Sequence, residues 1–155
     1  MSDWFEKGVY CRNFNAAMRG CGTHYQVEIN NKSFIVELMH PAGQEKYDAL
    51  SMYFKRMKNA NCVIYVFDIT DRNSFDIGIK QKYNPKVDTI KFKKDCLHLL
   101  VGNKLDLKYK RVVSYEEAEL FANENSMKYF EVSIRSGENM QLLFDYIHIN
   151  LSNNF

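Results

Sequence analysis

Asn103, Lys104 and Asp106 follow directly on an apolar run, His98 to Val101, closed by Gly102. A run of this length suits a strand buried on both faces, and in an open α/β sheet ligands bind beyond the carboxyl ends of the strands. Polar side chains at such an end are placed for ligand contact. Asn-Lys-x-Asp fits a guanine base in particular. A fixed carboxylate accepts two hydrogen bonds from the N1 and N2 edge, for which adenine has no matching donors, while the lysine stem lies along the base and the asparagine amide braces neighbouring loops. The same stretch also reads as a strand followed by an ordinary polar turn, and on these residues alone the two readings stand level.

The elements that would position such a site come from the rest of the chain. At 155 residues, with 46% hydrophobic and 26% charged residues, the sequence has the size and composition of one globular domain. Its net charge of +2 says little about partners. No apolar run approaches the roughly 18 residues that span a bilayer, and the start, MSDWFEKG, has no secretory pattern. A cytoplasmic protein is expected. Cys11, Cys21, Cys62 and Cys96 stand far apart, and His24, His40, His98 and His148 show no ligand spacing, so neither a disulfide nor a metal site is expected.

Along the chain, Ser2 to Lys7 reads as a turn or two of helix and Gly8 to Gly22 as irregular. His24, Gln26, Glu28 and Asn30 alternate with Tyr25, Val27 and Ile29, then Asn30 to Lys32 turns and Phe34 to Met39 returns, an antiparallel hairpin. Tyr47 to Lys58 has helical spacing, and Cys62 to Asp68 is an apolar strand running into a helix capped by Asp71 to Ser74. That helical region carries Phe75, Ile77 and Ile79, breaks near Asn84-Pro85 and resumes to about Lys94. After the opening strand come a basic loop, Lys108 to Arg111, a helix from Ser114 with Glu117 in capping-box position, a strand from Lys128 to Val132, an exit loop and a closing helix, Met140 to Leu151. Strands and helices that alternate after a hairpin predict an α/β, three-layer fold: a mainly parallel sheet with one antiparallel hairpin, covered by helices on both faces.

These pieces, in this order, resemble the Ras superfamily of small GTPases, and the Rab branch most closely. LMHPAGQEKYDAL stands where the family has WDTAGQE and a switch helix; CVIYVFDITDRNSF, HLLVGNKLDL, SYEEAELFANEN and FEVSIRSGEN match four further family segments between about Thr23 and Leu151. The resemblance implies a G-domain-like fold that binds a guanine nucleotide. It lays Asn103, Lys104 and Asp106 on the guanine-recognition motif and Ser133, Ile134 and Arg135 on the loop whose backbone N–H faces the base oxygen. It lays Gln44 on the residue that orients the attacking water and Gly43 on the glycine whose N–H meets the terminal phosphate.

Set against that pattern, the chain departs in three places. It contains no GxxxxGK[ST], Ala17 aligns with the threonine that ligates Mg²⁺, and His40 replaces the aspartate that holds the metal through water. The expectation is therefore a single truncated domain, 1–155, missing the first strand and the phosphate-binding loop. Base contacts of about 1.5–3 kcal/mol each barely offset an association cost of about 4–15 kcal/mol, so GTP or GDP is expected to bind weakly if at all, without magnesium. Hydrolysis is expected to be absent or very weak and Gln44 to be vestigial, a solvated loop side chain. What remains is a degenerate GTPase in trafficking or signalling, acting on protein effectors or regulators through the switch-like region 40–58. The alternative is an active GTP-hydrolysing switch whose N-terminal part lies outside this chain, or a non-functional fragment. The lysines from Lys80 to Lys94 read as a solvated helix face rather than a nucleic-acid surface, and INLSNNF holds no cysteine for a prenyl anchor.

Overall fold

The computed structural model describes residues 23–29, 32–38, 58–81 and 92–152. The chain falls into two compact units, Met1–Tyr53 and Phe54–Phe155. In the first, β1 (Thr23–Ile29) pairs antiparallel with β2 (Lys32–Leu38), from Thr23 opposite Leu38 to Ile29 opposite Lys32. The expected hairpin is there, but Lys32 opens the second strand instead of belonging to the turn.

The second unit is built on a parallel sheet in the order β3 (Cys62–Asp68), β4 (Leu97–Asn103), β5 (Lys128–Glu131). β4 sits between its neighbours, and Leu99, Leu100 and Val101 are fully buried, as the unbroken apolar run predicts. One face of the sheet carries Phe67, Leu100 and Tyr129, packed with Phe75, Ile79, Ala118 and Ala122 from the connecting helices and Val113 from the segment before one of them. On the other, Phe130 meets Tyr146 of the closing helix α3 (Met140–Ser152), whose Met140, Leu143 and Ile147 are buried. Helices thus lie on both faces.

Caps explain where the helices begin. Asp71 accepts from the Asn73 N–H at 3.0 Å and starts α1 (Arg72–Phe75), which continues as a π-helical turn, Asp76–Gln81. Phe75 and Ile79 face the core while Ile77 stays half exposed, and the expected regular helix is underwound into π form from Asp76 to Gln81. Residues 82–91 lie outside the described residues; Phe92 to Cys96 are not helical, which corrects the expectation that helix resumes to Lys94. α2 (Tyr115–Glu124) starts at Ser114, whose Oγ accepts from the Glu117 N–H at 3.1 Å. The reciprocal half of the capping box is not made, because the Glu117 carboxylate is held by Arg72 and Lys80 instead.

Two boundaries matter for the site. β4 runs on through Gly102 to Asn103, two residues beyond the expected end, so Asn103 is the last residue of the strand. The expected basic loop after it is a 3-10 helix, Leu105–Lys110.

Candidate functional site

The carboxyl ends of β4 and β5 are laced together beyond the sheet. Val132 N–H donates to Gly102 O at 2.8 Å and Leu105 N–H to Val132 O at 3.0 Å, so the chain segments following the two strands stay side by side. This brings 103–106 against 133–135. Ser133, fully buried, donates from Oγ to Asp106 Oδ1 at 2.6 Å, and Ile134 N–H donates to Asn103 Oδ1 at 3.2 Å. The Ser133 hydroxyl also accepts from the Ser136 N–H at 3.1 Å, which holds the loop in one conformation.

Asp106 stands in the first turn of the 3-10 helix. An ionised carboxylate offers about four acceptor sites. Ser133 takes up one of them. Lys104 sits at the entry to this helix with φ 71° and ψ 37°, a left-handed conformation that a lysine adopts at a cost of about 1–2 kcal/mol. The turn carries its ammonium to Asp68 at the end of β3, with Nζ–Oδ2 at 2.5 Å. Parallel register makes this meeting possible, since Asp68 lies opposite Asn103. Asp68 Oδ1 in turn accepts from Thr70 N–H at 2.8 Å and Thr70 Oγ at 2.7 Å. Burial pushes the Asp68 carboxyl up, but Lys104 and the Thr70 donors outweigh it and hold it below the usual carboxylate range; the same ion pair raises Lys104.

Beside these loops, Arg111 grips Glu131 with both guanidinium nitrogens, at 2.6 and 2.7 Å, and Tyr129 Oη donates to Glu131 Oε1 at 2.7 Å. Gly102 lies beneath: a Cβ there would stand 2.8 Å from Tyr129 Oη and 2.9 Å from Ile69 Cγ2. The segment after the 3-10 helix is thereby tied to the strand that leads into Ser133.

Asn103, Lys104, Asp106, Ser133 and Ile134 therefore converge, and Arg135 is exposed at the rim of the same loop. Gly43 and Gln44, together with Ala17, His40 and all but the last residue of the 40–58 region, lie outside the described residues. Among the described residues no group of three or more His, Cys, Asp and Glu could hold a metal, and no helix is long and apolar enough to cross a membrane. Cys62 and Cys96 are free thiols. Reading the sequence missed Asp68, Thr70 and the Arg111–Glu131 pair. The signal for Asp68 was there, an aspartate ending the strand that neighbours the opening one, with the Asp-x-Thr spacing of a side-chain-capped turn.

A sequence model described as the Ras family matches residues 5–153. Among curated relatives, Ras-related protein Rab-1 of Theileria parva is 34% identical over 78% of this chain and 53% of its own length. The GTP-binding protein YPT1 of Saccharomyces cerevisiae is 36% identical over 76% of this chain and 55% of its own. Ras-related protein Rab-30 of Homo sapiens is 34% identical over 76% and 56%. The chain spans about half the length of the curated relatives it matches.

These matches correct several expectations. The family match reaches back to residue 5 and so takes in the segment upstream of the hairpin, which overturns the reading of a truncated domain missing the first strand and phosphate-binding loop. The degenerate GTPase, the weak nucleotide binding without magnesium and the absent hydrolysis, which rested on that truncation together with Ala17 and His40, are overturned by the family match and by the likeness to Rab proteins. The α/β fold with a parallel sheet and the kinship to Rab-like small GTPases stand.

Proposed function

Because the chain belongs to the Ras family, we propose that it binds GTP and GDP through the crevice beyond β4 and β5 and works as a GTP-hydrolysing switch. The observation that carries this reading is the lacing of Asp106 to Ser133 and of Asn103 to Ile134. Two loops distant in sequence are locked so that a carboxylate with spare acceptor capacity lies at the end of a buried strand. In this role Asp106 accepts from N1–H and the 2-amino group of guanine, at about 1.5–3 kcal/mol per charge-assisted bond. Asn103 and Ser133 hold the loops, the Lys104 stem lies along the base, and Ile134 and Arg135 complete the wall. Gly43 and Gln44 take the phosphate and water-orienting roles that the family resemblance assigns them, and the region 40–58 meets effectors or regulators. Residues 1–155 act as one domain in this reading. A cytoplasmic setting agrees with the two free thiols, and the names of the relatives agree with a part in Rab-like vesicle traffic.

The test is a change of base. Asn at position 106 offers a donor where Asp offers only acceptors, and xanthine has a carbonyl where guanine has its 2-amino group. Calorimetry on the unaltered chain should show GDP bound well ahead of ADP. Asp106→Asn should lose GDP about 10- to 100-fold and gain the xanthine nucleotide. Equal binding of ADP and GDP by the unaltered chain would overturn the proposal.

A further inference from the structure

The proposed guanine site contains a difficulty of charge. Lys104 lies two residues from Asp106, and a freely moving ammonium on so long a stem would neutralise the carboxylate that the base requires. Lys104 is half exposed, at 50%, so packing does not keep it in place. What does is the ion pair to Asp68, at 2.5 Å, on the far side from Ser133 in the sheet order: β3 on one flank of β4, β5 on the other. We propose that Asp68 is a positioning residue of the guanine site, an anchor that draws the Lys104 ammonium away from Asp106 and sets the lysine stem before any nucleotide arrives.

The anchor is itself fixed. Its Oδ1 is held by the Thr70 backbone N–H and hydroxyl, and its own backbone N–H donates to Ser74 Oγ at 3.0 Å. Oδ2 is left for the lysine. The left-handed backbone of Lys104 points the same way: strain at a long-chain residue persists where the surroundings over-determine it. A tethered lysine has already lost the rotamer freedom that binding would otherwise remove, the general gain of preorganisation. This inference rests on the guanine reading and adds to it a residue that does not touch the ligand.

Guanosine and GDP binding to the full chain, by calorimetry, tests it. Asp68→Asn keeps the size and an acceptor oxygen for Thr70 but replaces the charged partner of Lys104, and it should weaken both ligands by the same factor, about fivefold. In a Lys104→Met background Asp68→Asn should cause no further loss, because the residue acts only through the lysine. An unchanged or tighter affinity in Asp68→Asn, or the same loss repeated in the Lys104→Met background, would overturn the proposal. Should Asp68→Asn fail to fold, Thr70→Val carries the test: it loosens the anchor without touching the ion pair, and should weaken both ligands about twofold, whereas an unaltered affinity would again overturn it. Failure of the unaltered chain to bind guanosine and GDP would bring down the guanine reading as well, while binding that ignores Asp68 would bring down this inference alone.

Discussion

Two arginines in this unit grip a glutamate with the same fork. Arg111 meets Glu131 at 2.6 and 2.7 Å, and Arg72 meets Glu117 at 2.6 and 2.7 Å. The surroundings differ. Glu131 is only 8% exposed and shares its carboxylate with a buried tyrosine hydroxyl, whereas Glu117 is 31% exposed and lies in a surface lattice with Arg72, Asp76 and Lys80. Identical geometry therefore does two different jobs. Removing one partner of a buried pair strands the other charge, while exposed pairs are replaced by water at little cost. The buried fork ties the end of the 3-10 helix to the strand leading into Ser133; the exposed one joins two helices on the flank.

The largest effect should follow from Glu131→Ala. It leaves the Tyr129 hydroxyl without its acceptor and Arg111 with only the Val113 carbonyl, and should cost about 3 kcal/mol in a chemical denaturation midpoint analysis. A loss below about 1 kcal/mol would erase the distinction between the two forks. Gly102→Ala comes next, at about 1–3 kcal/mol, since its Cβ would overlap Tyr129 Oη at 2.8 Å and Ile69 Cγ2 at 2.9 Å. Adding Tyr129→Phe should recover part of that loss by removing the oxygen in the way. The smallest effect belongs to Glu117→Gln, under about 1 kcal/mol and smaller still in molar salt.

Acid should reveal what the exposed fork contributes. Hydrogen bonds from Arg72 and Lys80 hold the Glu117 carboxyl down at about 2, below its ordinary 4.5. A carboxylate lowered on folding adds stability that is complete above its unfolded value and fades as pH falls through the folded one. The contribution of Glu117 should therefore be intact above pH 4.5 and be lost toward pH 2, a change that thermal melts of Glu117→Gln and the unaltered chain, compared across that range, would expose as convergence. Curves that stay parallel down to pH 2 would show that the exposed fork contributes nothing through this charge.

Much of this arrangement is legible along the chain because it is local. The apolar run before Gly102, the Asp71 and Ser114 caps and the hairpin alternation each follow from neighbouring residues, and the structure contains each of them. The meeting of 103–106 with 133–135 was legible through motif order. What escaped depends on register between strands. Asp68 reaches Lys104 only because residue 68 lies opposite 103, and Arg111 reaches Glu131 only because a basic stretch winds into a 3-10 helix whose end passes β5. Lysines and arginines near a carboxylate are common in sequence, and only the fold says which of them are partners. The capping box misled for the same reason: Glu117 had better donors in Arg72 and Lys80 than the backbone at Ser114.

The left-handed Lys104 has a consequence for the protein's history under mutation. Glycine would relax that backbone at once, by about 1 kcal/mol, and asparagine would relax it in part, so stability and the proposed recognition of guanine pull position 104 in opposite directions. A population of variants selected only for surviving heat should drift toward glycine there, shedding the lysine stem and the tie to Asp68 together. The strained lysine marks a place where the fold is slightly less stable than it could be, and on the guanine reading proposed above a stabilised descendant would be sturdier and a weaker binder.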